Sequence, residues 1–138
     1  LGQASQADTV AMRKFGNKIG VAFQIVDDVL DFVGSPDRIG KPVGSDLQQG
    51  LLTLPTLLYL ESNPKDLVAQ AVLNGNKIDR DTVLEVVRAV RDSGAVEAAM
   101  EEARSHALQG QLTLNKLQDG EHLQSLLRMA DYIVSRDL

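Results

Sequence analysis

Apolar residues recur at helical spacing along nearly the whole chain, and no segment alternates at the two-residue period of a half-buried strand. The first such run predicts a helix from about Thr9 to Val33, with Asp8 placed to cap it and Gly16 and Gly20 loosening its middle. Val21, Ala22, Ile25, Val26, Val29, Phe32 and Val33 occupy most of its circumference. So wide an apolar arc predicts burial on most sides. Gly34 to Asp46 then holds Gly34, Pro36, Gly40, Pro42 and Gly44, too many breakers for regular structure, and reads as a loop of the length that binding loops and lids have.

Thr53 and Pro55 mark the start of a helix running through about Glu61, with Leu54, Leu57, Leu58 and Leu60 as core positions and Asn63-Pro64 ending it. A short helix from Pro64 to about Leu73 follows, and Asn74-Gly75-Asn76 breaks the chain. Asp79 or Asp81 caps the next helix, whose Val83, Val86, Val87 and Val90 keep helical spacing despite their β preference and which ends near Ser93-Gly94. A long helix is expected from about Ala95 to Leu117, with Val96, Ala99, Met100, Ala103, Ala107 and Leu108 on its buried side and Gly110 as its weak point. A last helix, about Glu121 to Ser135, buries Leu123, Leu126, Leu127, Ala130, Ile133 and Val134. The fold class is therefore all-α, a bundle of about six helices with antiparallel neighbours joined by short loops.

The polar residues of the first helix change this picture. At roughly 100° per residue, Gln24, Asp27, Asp28 and Asp31 fall within about a quarter of the wheel, with Gly16 and Gly20 on the same side. Such spacing suits a solvated helix face. On a helix buried on most sides, however, the stripe would face a polar cavity, where clustered carboxylates repel unless a cation or hydrogen-bond donors favour the ionised form. Oxygen ligands with no Cys or His nearby point to a hard cation, Mg²⁺ before Zn²⁺, and Mg²⁺ is typically shared between one or two carboxylates and phosphate oxygens. The Gly/Pro-rich loop after the helix carries Lys41, where an anion held through metal would meet a second positive contact.

Phe23, Gln24, Asp27, Asp28 and Asp31, followed by Gly40, Lys41, Gly44, Asp46, Leu47, Gly50, Thr53, Leu54 and Pro55, resemble the second aspartate-rich motif and following loop of the trans-isoprenyl diphosphate synthases, the polyprenyl type above all. The resemblance implies an isoprenoid synthase-like helical fold, incomplete here. Residues 1–138 would be the carboxyl-terminal portion of a synthase domain, since the chain opens on Leu1 and no first aspartate-rich motif precedes Asp27. It implies Mg²⁺-dependent prenyl chain elongation, in which isopentenyl diphosphate condenses with an allylic diphosphate. In that scheme Asp27, Asp28 and Asp31 would hold metal, directly or through water, and Lys41 would contact the diphosphate. Phe23 and Gln24 would border the substrate, and Asp46 would support the ligands from behind. Asp27, Asp28 and Lys41 would thus be the catalytic set, in a piece inactive by itself. The usual partner is a second copy of the same chain, a different subunit being the other possibility.

Leu51 departs from the family pattern, which commonly has a second diphosphate-binding lysine there. Arg136 stands where basic residues near the family's carboxyl terminus can reach the diphosphate, although a cation at a helix end also complements the dipole. His106 and His122 lack a partnered carboxylate or nucleophile in the sequence and read as structural.

Composition narrows the setting. In 138 residues, 43% hydrophobic and 24% charged content suits one domain able to bury a core. A formal net charge of −5 without a basic stripe argues against nucleic-acid binding, and no run reaches the length of a membrane span. The absence of cysteine excludes disulfides, a thiol nucleophile and a cysteine-held metal, and suits the cytoplasm. The competing reading, from another class, is a noncatalytic helical accessory subunit or interaction bundle.

Overall fold

The structure, a computed structural model, describes residues 4–34, 42–66, 70, 73 and 79–135. Among the described residues every regular element is a helix: α1 (Gln6–Val33), α2 (Ser45–Gln48), α3 (Leu54–Ser62), α4 (Arg80–Asp92), α5 (Ala95–Thr113) and α6 (Glu121–Ser135). The expected all-α class is what is found. The chain divides into two compact units, one of residues up to Val26 with residues from Glu101 onward, the other of Asp27–Met100.

Helix α1 starts three residues earlier than its periodicity suggested. Ser5, not Asp8, is the capping residue: its hydroxyl accepts from the Asp8 N–H at 3.1 Å while the Asp8 carboxylate accepts from the Ser5 N–H at 3.3 Å. Two otherwise orphaned donors are satisfied by this reciprocal pair. In the first unit Phe15, Ile19 and Ala22 of α1 share a core with Ala107, Leu114, Ala130 and Ile133, bordered by partly buried Leu123, Leu126, Leu127 and Val134. Helices α1 and α5 run in opposite directions there, since Ala11 lies by Thr113 and Ile19 by Gly110.

Gly110 is a contact point and not a weakness. A Cβ there would lie 3.2 Å from Ile19 Cδ1 and 3.3 Å from Lys18 Cβ, so the missing side chain lets the two helices approach. Gly16 and Gly20 have no such neighbour and are exposed. Helix α5 stops at Thr113, short of Leu117, because the chain tightens into i−3 bonds from Leu114 N–H to Gln111 O and from Leu117 N–H to Leu114 O. Leu108 is 57% exposed, lying off the line of Met100, Ala103, Ala107 and Leu114. Gln111 links α5 to α6, donating to Leu127 O at 3.2 Å and to Asp131 Oδ1 at 2.7 Å.

In the second unit Val29, Phe32, Leu47, Tyr59, Leu60 and the four valines of α4 are buried. Asp79 caps α4 through a 2.8 Å bond from the Thr82 N–H, which draws its carboxyl below the usual range. Helix α3 has Thr53 at its N-cap position and Pro55 in the first turn, but the Thr53 side chain makes no capping bond. Leu57 of α3 is 46% exposed, contrary to its expected core position, since Thr56, Tyr59 and Leu60 form the buried side. Tyr59 donates to Asp66 Oδ2, and that bond, with burial and the neighbouring negative charge, pushes its hydroxyl up to about 12. Half of the helix expected over Pro64 to Leu73 lies outside the described residues; Pro64 and Lys65 form a turn and not its first residues, while Gln70 and Leu73 are helical.

Candidate functional site

The acidic residues sit on the last two turns of α1. Asp27 is exposed, Asp28 half-buried, and Asp31 buried at 8% exposure. Phe23 and Gln24, one turn earlier on the same helix, are exposed, Phe23 by 46%. The stripe is therefore not enclosed as the wide apolar arc implied. Val21 at 38% shows why: part of that arc has no cover among the described residues.

Asp31 is the most constrained of the three. Its Oδ1 accepts from the Ser45 N–H at 3.1 Å and from the Ser45 hydroxyl at 2.8 Å, and its Oδ2 accepts from the Asp46 N–H at 3.2 Å. Its main-chain oxygen accepts from the Gly44 N–H at 2.9 Å. A buried carboxylate is costly without donors, and here three of them converge on it. What the sequence reads as one loop through Asp46 thus ends sooner, with Ser45 opening the four-residue α2 against α1.

The turn is held from its far side as well. Gly44 has φ +74°, in the left-handed region, and a Cβ on it would fall 2.7 Å from Val83 Cγ1 and 2.9 Å from Val87 Cγ2. Only glycine fits both the backbone and the space. Arg91 Nε of α4 donates to Phe32 O at 2.5 Å, joining the same two elements beyond the turn. Sequence reasoning did not find Ser45 or Arg91. A serine opening a short helix was the available signal for the first; for Arg91, 59 positions from its acceptor, there was none.

Asp46 is half-buried, its main-chain oxygen receiving the Leu51 and Gln49 N–H groups, while Leu51 itself is 53% exposed. Lys41, Gly40 and Arg136 lie outside the described residues. Of the histidines, His122 is exposed, and buried Nδ1 of half-buried His106 has no partner among the described residues. Among those residues no three His, Cys, Asp or Glu side chains are grouped to cage a metal ion. Such a cage is not what Mg²⁺ needs: one or two carboxylate oxygens suffice when waters and phosphate complete the shell, and the all-oxygen pair Asp27 and Asp28 fits that demand.

A family model described as Polyprenyl synthetase matches residues 1–90. Heptaprenyl diphosphate synthase component 2 of Bacillus subtilis is 35% identical over 126 residues, covering 91% of this chain and 36% of that protein. Two solved structures superpose closely. The heptaprenyl diphosphate synthase of Staphylococcus aureus does so with TM-score 0.90 at 30% identity, over 99% of this chain and 42% of that one. The polyprenyl synthase of Caulobacter crescentus, complexed with calcium and isoprenyl diphosphate, gives TM-score 0.88 at 28% identity, over 96% and 41%. The helical architecture is the isoprenoid synthase fold of these neighbours. The chain belongs to the polyprenyl synthetase family, and it spans 36–42% of the length of these three relatives.

Among the described residues no helix is long and apolar enough to cross a membrane.

Proposed function

We propose that this chain supplies the carboxylate helix of a prenyl-elongating transferase, which joins isopentenyl diphosphate to an allylic diphosphate. The observation that carries this reading is an exposed Asp27 beside a half-buried Asp28, on a helix whose end is fixed to the following turn in a member of the polyprenyl synthetase family. Asp27 and Asp28 would hold Mg²⁺. When bound, the ion offsets negative charge on the diphosphate as the allylic C–O bond breaks. Lys41 would contact the same diphosphate, and Asp46 would orient the ligands. Phe23 and Gln24, a turn before Asp27, would border the hydrocarbon and its first carbon, Phe23 excluding water from the carbon that is attacked. The double bond of isopentenyl diphosphate attacks that carbon, diphosphate leaves, and loss of one proton restores a double bond. We further propose a cytoplasmic setting and pairing with a second copy.

Titration of the chain with inorganic diphosphate and Mg²⁺ in a calorimeter tests the site. Binding to the isolated chain should be weak, and Asp27→Ala should weaken it further. A charge-assisted contact of about 1.5–3 kcal/mol corresponds to a loss of ~10–100-fold. Identical isotherms for the two proteins would refute the assignment. Leu51, exposed where the resembling family commonly carries a second lysine, favours the other reading, a noncatalytic accessory subunit. That reading predicts no diphosphate-dependent heat.

A further inference from the structure

We infer that Asp31 is a positioning residue of the proposed site and not one of its metal ligands: its carboxylate fixes the Gly44-Ser45-Asp46 turn against the acidic helix. The assignment rests on the diphosphate reading given above. The geometry behind it is specific. Both Asp31 oxygens already receive donors, one taking the Ser45 N–H and hydroxyl and the other the Asp46 N–H. Three of the roughly four lone-pair sites of the carboxylate are thus taken, and with 8% of the residue exposed little of it is open to a hydrated cation. Asp27, one turn earlier on the helix, is exposed.

The turn is gripped on two sides. Asp31 holds its backbone from α1, and Val83 and Val87 close against Gly44 from α4. Residues 44–46 are therefore fixed next to the helix end that bears Asp27 and Asp28. In chemical terms Asp31 contributes orientation, which acts on the affinity of the anion through the placement of the Gly44-Ser45-Asp46 turn and not through a bond to the cation.

The test uses the 138-residue chain, with inorganic diphosphate and Mg²⁺ as probes and amide hydrogen exchange as a second measurement. Asp31→Asn keeps the size but leaves one acceptor oxygen, so the Ser45 and Asp46 amides should exchange roughly tenfold faster or more. Ser45→Ala keeps every carboxylate and the fold, and should lower diphosphate affinity by about fivefold, the worth of one hydrogen bond. In both variants the loss should persist at saturating Mg²⁺, whereas loss of a ligand is rescued by adding the ion. The inference is overturned if Asp31→Asn leaves the Ser45 and Asp46 amides as protected as before. It is equally overturned if Ser45→Ala binds like the parent while excess Mg²⁺ restores Asp31→Asn. Unchanged binding in Asp27→Ala removes the site itself and the positioning role with it. That failure is distinct from one in which Asp27→Ala loses binding and Ser45→Ala does not.

Discussion

Replacing Gly44 with alanine places one methyl group where the structure has no room for it. Its φ of +74° puts an L-residue in the left-handed region at about 1–2 kcal/mol. The new Cβ would also stand 2.7 Å from Val83 Cγ1 and 2.9 Å from Val87 Cγ2, well inside van der Waals contact. Those methyls cannot easily move, because both valines are buried at 0% and 2% exposure and a β-branched side chain on a helix has essentially one rotamer. Overpacking of this kind costs about 1–3 kcal/mol, so the total is roughly 2–5 kcal/mol. A domain of ordinary stability, about 5–15 kcal/mol, would survive with a clearly lower urea midpoint. Urea unfolding followed by circular dichroism measures the loss. A double-mutant cycle with Val83→Ala, which removes the closer methyl, should shrink the cost of Gly44→Ala towards its backbone part. A cost below about 0.5 kcal/mol, the range of ordinary surface substitutions, or no coupling between positions 44 and 83, would refute the argument that α4 holds this turn.

Two titrations give further checks. The depressed carboxyl of Asp79 means that its cap on α4 contributes fully above the ordinary aspartate range and is lost as pH falls through the lowered folded value. Asp79→Ala should therefore lower stability at neutral pH and flatten the acid side of the stability curve, read from urea midpoints at successive pH values. Tyr59, pushed up to about 12 from an ordinary value near 10, contributes below pH 10 and loses that contribution as pH rises to about 12. Tyr59→Phe should remove the alkaline loss in that window, and an unchanged alkaline curve would show that the bond to Asp66 does not act in solution.

Where the sequence was legible and where it failed follows from the range of the forces involved. The bounds of α4 and α6 and their buried faces were readable, because a hydrophobic stripe and a cap are signals within a few residues of each other. Asp8 is a good cap residue in isolation, which sets the expected start of α1 three residues late. The Ser5-x-x-Asp8 pair, read as a unit, shows Asp8 in the reciprocal third position. Hydrophobicity alone points Leu57 and Leu108 to the core, although each sits about 100° from its helix's buried line. The grouping of Asp27, Asp28 and Asp31 was visible from helical spacing, yet their different surroundings were not. Asp31 finds its donors at positions 45 and 46, and that pairing depends on how the chain returns to α1.

The guanidinium that Arg91 offers to Phe32 O sets a limit on how this family member can vary. The acceptor is a carbonyl in the final turn of a helix, a group that has no amide of its own to receive. Its filling from a separate element works as a stop peg. Adding a single residue between Asp31 and Phe32 would swing that oxygen about 100° around the axis, away from Arg91. Length changes are thereby steered out of the acidic helix and into the segments that connect the rods.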